Sequence, residues 1–590
     1  MTAAARRAGR QPLNSGAPWS FPPPWVRAWR QDWLAGDLSA GVVVAIMLVP
    51  QSLAYAMLAG LPAQVGLMAS LLPLLGYAAF GTSGALSVGP GAITSLMVFQ
   101  ALSPLAVPGG ISYGVLSAAL ALGSGLLLML MGGLRLGFLS QLLSRPVVQG
   151  FTVASALLIM LGQVASLMGW KSLGSTLPDM LEQLMQHVLT WPAGAVNGNA
   201  QVGLASVALL WAGPKLLNRV GRAVGLSAAR VQIGVRLWPL GVLLSAAWIA
   251  QHLLSTGAGP ISLVGEVKLN VAAARDSLLQ LGESLPAVWQ PLAMPVLLVA
   301  LVNFVSSMSV AQNFALRQGL RVDADRELIG LGVANLGSTV LGGMAVTGGL
   351  SRSVVNDAAG ARSPLAGVIT ALILGIMMAL FLPWLSYLPK SALAAVIVMA
   401  VVGLIDFRPL RQAWVYDRAD AWAFVATALG VLLVGFETGI LIGIAWSLGT
   451  LIWRHSQPHM AEVGRVPGTH HFRNVNRHRV EQLNGVLMVR VDESLDFTNI
   501  QRVELRLCEL VHGRERIERI VLLLSAVNHI DHSAMQTLLE LDRNLSDQGR
   551  CLYLAEVKGP LMDRLKHSRM DAQFEGRIFL SAQHAWDALA

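Results

Sequence analysis

The chain has 590 residues, of which 54% are hydrophobic and only 13% charged, with 59 glycines and a formal net charge of +9. Soluble domains carry about 25% charged residues, so a single soluble globule is excluded. The basic excess does not argue for nucleic acid, because it falls mostly at the ends of apolar segments, where membrane orientation alone calls for it.

The 42 Lys and Arg and 33 Asp and Glu are unevenly placed: 36 of them lie in the 137 residues from Arg454 to Ala590. A membrane-embedded body over residues 37–453 is therefore followed by a charged, soluble part. Met1 to Arg30 lacks an apolar core and holds Arg6, Arg7, Arg10, Arg27, Arg30 and the run Phe21-Pro22-Pro23-Pro24. Residues 1–36 thus read as a cytoplasmic arm ending in an interfacial Trp25, Trp29 and Trp33 cluster, not as a cleaved signal peptide. From Leu38 to Leu134 there are 97 residues without one charged side chain. One crossing needs roughly 20, so several spans are packed there.

Fourteen apolar segments are expected, starting near residues 38, 62, 90, 112, 147, 200, 231, 289, 325, 349, 364, 390, 418 and 438. Basic residues follow the even ones: Arg135 and Arg145; Lys215, Arg219, Arg222 and Arg230; Arg317, Arg321 and Arg326; Arg408, Arg411 and Arg418. The opposite loops, with Asp179 and Glu182 or with Glu266, Lys268, Arg275, Asp276 and Glu283, are less basic. This bias predicts a multi-pass inner-membrane protein with both termini cytoplasmic.

The third segment, Ser87-Val88-Gly89-Pro90-Gly91-Ala92-Ile93-Thr94-Ser95, and the tenth, Val346-Thr347-Gly348-Gly349-Leu350-Ser351-Arg352-Ser353, open on helix-breaking residues and are too short to cross. They read as half-helices and, in a seven-plus-seven division, as repeat mates. Each helix N-terminus carries about half a positive charge, so two that face each other would trap an anion near the midplane. Gly-rich membrane sequence also serves close helix packing, and the residues alone leave both readings open.

The soluble part divides into a linker over 454–480 and a domain over 481–590. Val486 to Val491, Ile517 to Val527 and Cys551 to Val557 are strand-like, and Phe497 to Val511, Ser533 to Leu545 and Pro560 to His567 helix-like, which predicts a mainly parallel sheet with packed helices. His455 to Arg479 form a linker with room for a first strand. The two cysteines, Cys508 and Cys551, suit a reducing cytosol. Ten histidines follow Trp453 without metal-ligand spacing, so no metal or cofactor is expected. Adjacency of Asp531, His532 and Ser533 is not triad geometry, and no enzymatic motif emerges.

At these residues the chain resembles the SulP anion transporters, which include sulfate permeases and the animal anion exchangers related to prestin. The resemblance rests on Gly36-Asp37-Leu38-Ser39-Ala40-Gly41, Pro50-Gln51-Ser52-Leu53-Ala54-Tyr55-Ala56 and Gly60-Leu61-Pro62. Val88-Gly89-Pro90, Leu350-Ser351-Arg352-Ser353, Arg362-Ser363-Pro364-Leu365-Ala366-Gly367 and Glu437-Thr438-Gly439-Ile440-Leu441-Ile442-Gly443 support it. The soluble part is similar to a STAS domain, with Ile530-Asp531-His532-Ser533-Ala534-Met535 at its signature turn.

The resemblance implies a fourteen-span, seven-plus-seven inverted repeat of core and gate subdomains, elevator-like alternating access and a homodimer, with a cytosolic partner for the STAS domain as a further expectation. Carried over by position, the anion site comprises Gln51 and Tyr55; Gly91 and Ala92; Ser306 and Ser309; and Gly348, Gly349, Leu350, Ser351 and Arg352. Ser533 matches a position phosphorylated in some stand-alone STAS proteins and is a candidate regulatory phosphosite, while helix capping is the simpler role for Asp531 and Ser533.

Backbone N–H groups near Gly91 and Gly349 can approach an oxyanion closely, and Gln51, Ser351 and Tyr55 add neutral hydrogen bonds. Arg352, a cation at membrane depth, either faces a wet cavity or snorkels to the cytoplasmic end. Two departures stand out. Ser306 occupies a position where many bacterial and plant members carry a carboxylate for cation coupling, and Gly91 one where some animal members carry Phe. The leading expectation is secondary transport of an inorganic or small organic anion, sulfate first, then bicarbonate or dicarboxylate. The alternative is a weakly transporting membrane motor or sensor that signals through the STAS domain.

Overall fold

The computed structural model describes residues 23–106, 111–141, 144–170, 176–190, 197–225, 227–255, 261–265, 271–318, 322–569 and 571–590. The N-terminal arm up to residue 22, with Arg6, Arg7, Arg10 and Phe21-Pro22, lies outside them, as do Glu266, Lys268 and Arg321. The chain divides into two compact units at Ser447 and Leu448.

The first unit is helical: α1 (Leu34–Leu58), α2 (Ala63–Phe80), α3 (Ala92–Leu102), α4 (Tyr113–Gly133), α5 (Arg145–Met168), α6 (Leu177–Leu189), α7 (Gly198–Ala223), α8 (Ala228–Ser255), α9 (Val271–Gln318), α10 (Ala324–Val340), α11 (Leu350–Ala358), α12 (Leu365–Leu385), α13 (Lys390–Val402), α14 (Arg408–Tyr416), α15 (Arg418–Leu433) and α16 (Phe436–His455), which runs past the boundary. A helix starts within about four residues of each expected segment start except the eighth, which falls inside the 48-residue α9. Among the described residues eight helices are long and apolar enough to cross a membrane. Among the described residues α6 and α14 correspond to no expected segment, because they are amphipathic and short, and neither does the five-residue helix Pro24–Ala28.

α3 and α11 owe their shortness to their flanks. Gly89-Pro90-Gly91 holds the chain extended before α3, and Ser103-Pro104 tightens its end into a 3-10 turn. Gly360, at φ +105°, ends the segment of α11 where the backbone of Gly36 lies against it. Ahead of α3 and α11 run two-residue strands, β1 (Val88–Gly89) and β2 (Thr347–Gly348), which pair antiparallel as Val88 with Gly348 and Gly89 with Thr347. The two helix N-termini are thereby tied together although they lie far apart in sequence.

Packing sorts the helices into two groups. α10 sits against α4 and α2, α9 against α4, and α12 against α1; α5 packs on α13 and α15, and α7 on α8 and α13. α4 and α10 approach through Gly125 and Gly332, where an added Cβ would stand 2.9 and 2.8 Å from the other's backbone oxygen. α10 buries Glu327, Asn335, Ser338 and Thr339, which explains its modest hydrophobicity.

The second unit contains a six-stranded sheet: β3 (Met460–Arg465), β4 (Phe472–Asn474), β5 (Val486–Val491), β6 (Arg519–Leu523), β7 (Cys551–Ala555) and β8 (Ile578–Phe579), in spatial order β4-β3-β5-β6-β7-β8. β5 to β8 are parallel, whereas β3 runs antiparallel to β4 and β5. The stretch expected as linker with room for one strand therefore supplies two. α17 (Ile500–Val511), α18 (His532–Asp547), α19 (Gly559–His567) and α20 (Ala582–Leu589) complete the unit. Alternate residues of β5 enter two separate cores, Leu487, Val489 and Val491 on one face and Val486 and Met488 on the other, because helices cover both faces.

Candidate functional site

The eleven residues carried over by position line one cavity of about 300 Å³. α1 contributes Gln51 and Tyr55 one turn apart, α9 Ser306 and Ser309, the start of α3 Gly91 and Ala92, and the start of α11 Gly348 to Arg352. The opposite wall comes from the other helix group, through Gln149 and Thr152 of α5 and Ala400 and Val401 of α13. Gly91 and Gly349 occupy the N-cap positions, and neither helix carries a side-chain cap. The first-turn N–H groups of both helices are thus left for another acceptor.

Arg352 is the one charged side chain among the described residues that line the cavity. It is 2% exposed and does not extend to the surface. Its Nη1 donates to the Pro90 carbonyl at 2.5 Å, while Nε and Nη2 are buried with no partner among the described residues. The guanidinium lies between the two glycine stretches. A Cβ on Gly349 would stand 2.7 Å from Nη2, and one on Gly89 3.5 Å. A permanently charged planar group with two orphan donor nitrogens, buried without a counter-ion among the described residues, is costly unless an anion completes it. Gln51 Oε1 is also buried without a partner among the described residues.

Behind the cavity is a hydrogen-bond frame that sequence reasoning left out. Asn303 accepts from Thr94 Oγ1 at 2.7 Å and donates to the Val346 carbonyl at 3.3 Å. Asn335 accepts from Val346 N–H at 2.9 Å and returns a bond to Val346 O at 3.1 Å. Ser307 accepts from Gly348 N–H at 2.8 Å. Together they hold β2, and hence the start of α11, against α9 and α10. The signal available was an Asn in each of two expected membrane segments, where an unpaired amide would be expensive. Gln149 and Thr152 offered no comparable signal, because they reach the cavity only through the packing of α5.

In the first unit Asp37 and Glu327 are buried away from the cavity, and both are satisfied. Asp37 accepts from Arg362 N–H at 2.7 Å, Ser363 N–H at 3.1 Å and Ser363 Oγ at 2.6 Å, which joins two of the motif runs that are remote in sequence. Glu327 accepts from Tyr77 Oη at 2.8 Å, Thr82 N–H at 2.8 Å and Oγ1 at 2.6 Å, and Ser83 N–H at 3.2 Å. In the second unit Asp531 is the N-cap of α18, accepting from Ala534 N–H at 2.7 Å, and Ser533 lies exposed in the first turn.

Residues 34–427 match the family model described as the sulfate permease family, and residues 477–585 match the STAS domain model. The chain is 33% identical to the chloroplastic sulfate transporter 4.1 of Arabidopsis thaliana, over 88% of this chain and 74% of that one. It is 30% identical to a probable sulfate transporter of Mycobacterium tuberculosis, over 98% and 99%. The fold matches the murine solute carrier 26 family member A9 anion transporter in its inward-facing state with a TM-score of 0.82, at 20% identity, covering 95% of this chain and 92% of that one. The transmembrane domain of a cyanobacterium bicarbonate transporter gives 0.58 at 18% identity, covering 71% and 99%. At these identities the structures speak for the fold alone.

Proposed function

The chain belongs to the sulfate permease family, and we propose that it is a secondary transporter of an inorganic or small organic anion, with sulfate the first choice and bicarbonate or a dicarboxylate next. The observation that carries this reading is Arg352, whose Nε and Nη2 are buried and, among the described residues, unpartnered beside a cavity that two helix N-termini without side-chain caps enter. An oxyanion there would accept from the guanidinium and from backbone N–H groups of α3 and α11, with Gln51, Tyr55, Ser306, Ser309 and Ser351 as neutral partners.

In this reading the helix groups act as core and gate of a fourteen-span inverted repeat. The core, with α3 and α11, carries the anion past the gate helices α5 and α13 by an elevator-like movement. The protein works as a homodimer in the inner membrane with cytoplasmic termini, and the STAS domain regulates it, with Ser533 as a candidate phosphosite. No carboxylate is among the described residues lining the cavity, which supports exchange or conduction of anions over uptake driven by a proton or sodium gradient. Gly91 leaves the cavity without a ring over the anion and favours a tetrahedral or planar oxyanion over a halide.

Uptake into proteoliposomes loaded with different anions tests this directly, using labelled sulfate, bicarbonate, succinate and chloride with and without ion gradients. Arg352→Ala should abolish or strongly reduce flux. Unchanged flux would reject the site, and steep dependence on a cation gradient would reject the role given to Ser306. Absence of flux for every anion would favour the motor or sensor reading.

A further inference from the structure

α14 is tethered at both ends to apolar helices. α13 ends at Val402, α15 starts at Arg418, and no residue of α14 is buried. Links of five residues and one residue keep it at the level where α13 and α15 emerge, since a chain advances at most about 3.5 Å per residue.

One side of this helix and the start of α15 form a mixed patch. Phe407 and Arg411 are four residues apart, Arg411 and Trp414 three, and Arg418 and Trp422 four, so each pair shares a face. The Trp414 and Trp422 rings join the two helices, with centroids 5.9 Å apart. Phe407, Trp414 and Trp422 are 53%, 47% and 48% exposed, and Arg411 and Arg418 are exposed too. Three of the neighbouring charges are engaged, and Asp420 is the further carboxylate in the first turn of α15. Arg408 is held by Asp406 through Nε at 2.9 Å and Nη2 at 2.8 Å, and Asp417 caps α15, accepting from Ala419 N–H at 3.0 Å. No hydrogen-bond or ion-pair partner engages the side chain of Arg411 or Arg418 among the described residues.

We propose that this patch binds an anionic phospholipid of the leaflet at which α13 and α15 emerge. Arg411 and Arg418 hold the headgroup phosphate, and Phe407, Trp414 and Trp422 lie against the glycerol and upper acyl chain. Half-exposed aromatic rings beside free arginines are what a membrane interface selects: the rings are amphipathic and the guanidinium pairs with phosphate bidentately. A water-facing helix would gain nothing from three exposed rings, and the basic charge matches an anionic surface. The site also has a route to the cavity. Leu404, which lines the cavity, precedes Arg408 by four residues, so a lipid that fixes α14 fixes that wall.

The test uses purified full-length protein and requires no transport. Retention of phosphatidylglycerol and of phosphatidylcholine is compared by native mass spectrometry, and the unfolding midpoint is followed as each lipid is added. Wild type should retain phosphatidylglycerol preferentially and be stabilised by it, less so at high salt. Arg411→Gln with Arg418→Gln should bind it roughly thirtyfold more weakly, at about 1 kcal/mol per arginine near a charged surface, with an unchanged midpoint in phosphatidylcholine. Arg411→Lys with Arg418→Lys should restore most of the binding, and Trp414→Ala with Trp422→Ala should weaken it. Equal phosphatidylglycerol binding by wild type and the glutamine variant, or no preference over phosphatidylcholine in wild type, would overturn the proposal. So would conversion of the glutamine variant to monomer with lipid retention intact, which would assign the patch to a second copy of the chain.

Discussion

Gly349→Ala is the substitution whose effect the geometry fixes most closely. The new Cβ would stand 2.7 Å from Arg352 Nη2, 2.8 Å from Cζ and 3.0 Å from Nε. All three atoms belong to the far end of a flexible side chain, so the fold can yield by moving the guanidinium about 0.7 Å to regain a 3.4 Å contact. That movement strains or breaks the bond from Nη1 to Pro90 O and displaces the donors offered to the anion. A charge-assisted hydrogen bond is worth about 1.5–3 kcal/mol net, and misplacement by about 1 Å can cost up to a hundredfold in rate. The expected outcome is a ten- to hundredfold loss of half-saturating affinity in proteoliposome uptake, with a small change in unfolding midpoint. Gly89→Ala is the internal control, since its Cβ would meet the same Nη2 at 3.5 Å, an ordinary contact. Equal uptake by wild type and Gly349→Ala, or equal losses in both variants, would refute the argument that this guanidinium is positioned for the anion by the space at Gly349.

Three further predictions follow from other sites. Asp37→Ala leaves Arg362 N–H, Ser363 N–H and Ser363 Oγ without their acceptor, at about 1–3 kcal/mol for each donor left buried, so the unfolding midpoint should fall sharply; Asp37→Asn, which keeps one acceptor oxygen, should lose less. Ser306→Glu places a carboxylate in a cavity whose charge is otherwise positive; flux should then fall at neutral pH and recover as pH drops, and a pH-independent rate would show that position 306 does not sense the anion. In the second unit, burial raises the Asp496 carboxyl, but hydrogen bonds from Thr498 and His455 outweigh it and hold it below its ordinary value. Because the folded value is depressed, its stabilisation is present above about pH 4 and is lost as pH falls through the folded value. Asp496→Asn should flatten that acid dependence in hydrogen exchange of β5 and α17, and an unchanged slope would remove Asp496 from it.

The amino-acid sequence by itself determined where the apolar helices start, apart from the eighth, which begins well before its expected position, that two segments are short, and that a sheet domain follows. These are local matters, because a run of uncharged residues, a Gly-Pro-Gly break or an alternation of strand-like and helix-like runs acts over one element. The resemblance named the residues that line the cavity, yet the partners behind them stayed hidden. That Asp37 serves Arg362 and Ser363, that Asn303 and Asn335 clamp Val346, and that Gln149 and Thr152 supply the opposite wall are pairings between elements distant in sequence. The same holds for α14, too short and too polar to register as a membrane segment. Above all, the sequence left Arg352 poised between a wet cavity and the membrane surface. Only tertiary structure decided its place, because the pairing of β1 with β2 brings the lead-in of α3 to α11 and puts the Pro90 carbonyl within reach of its guanidinium.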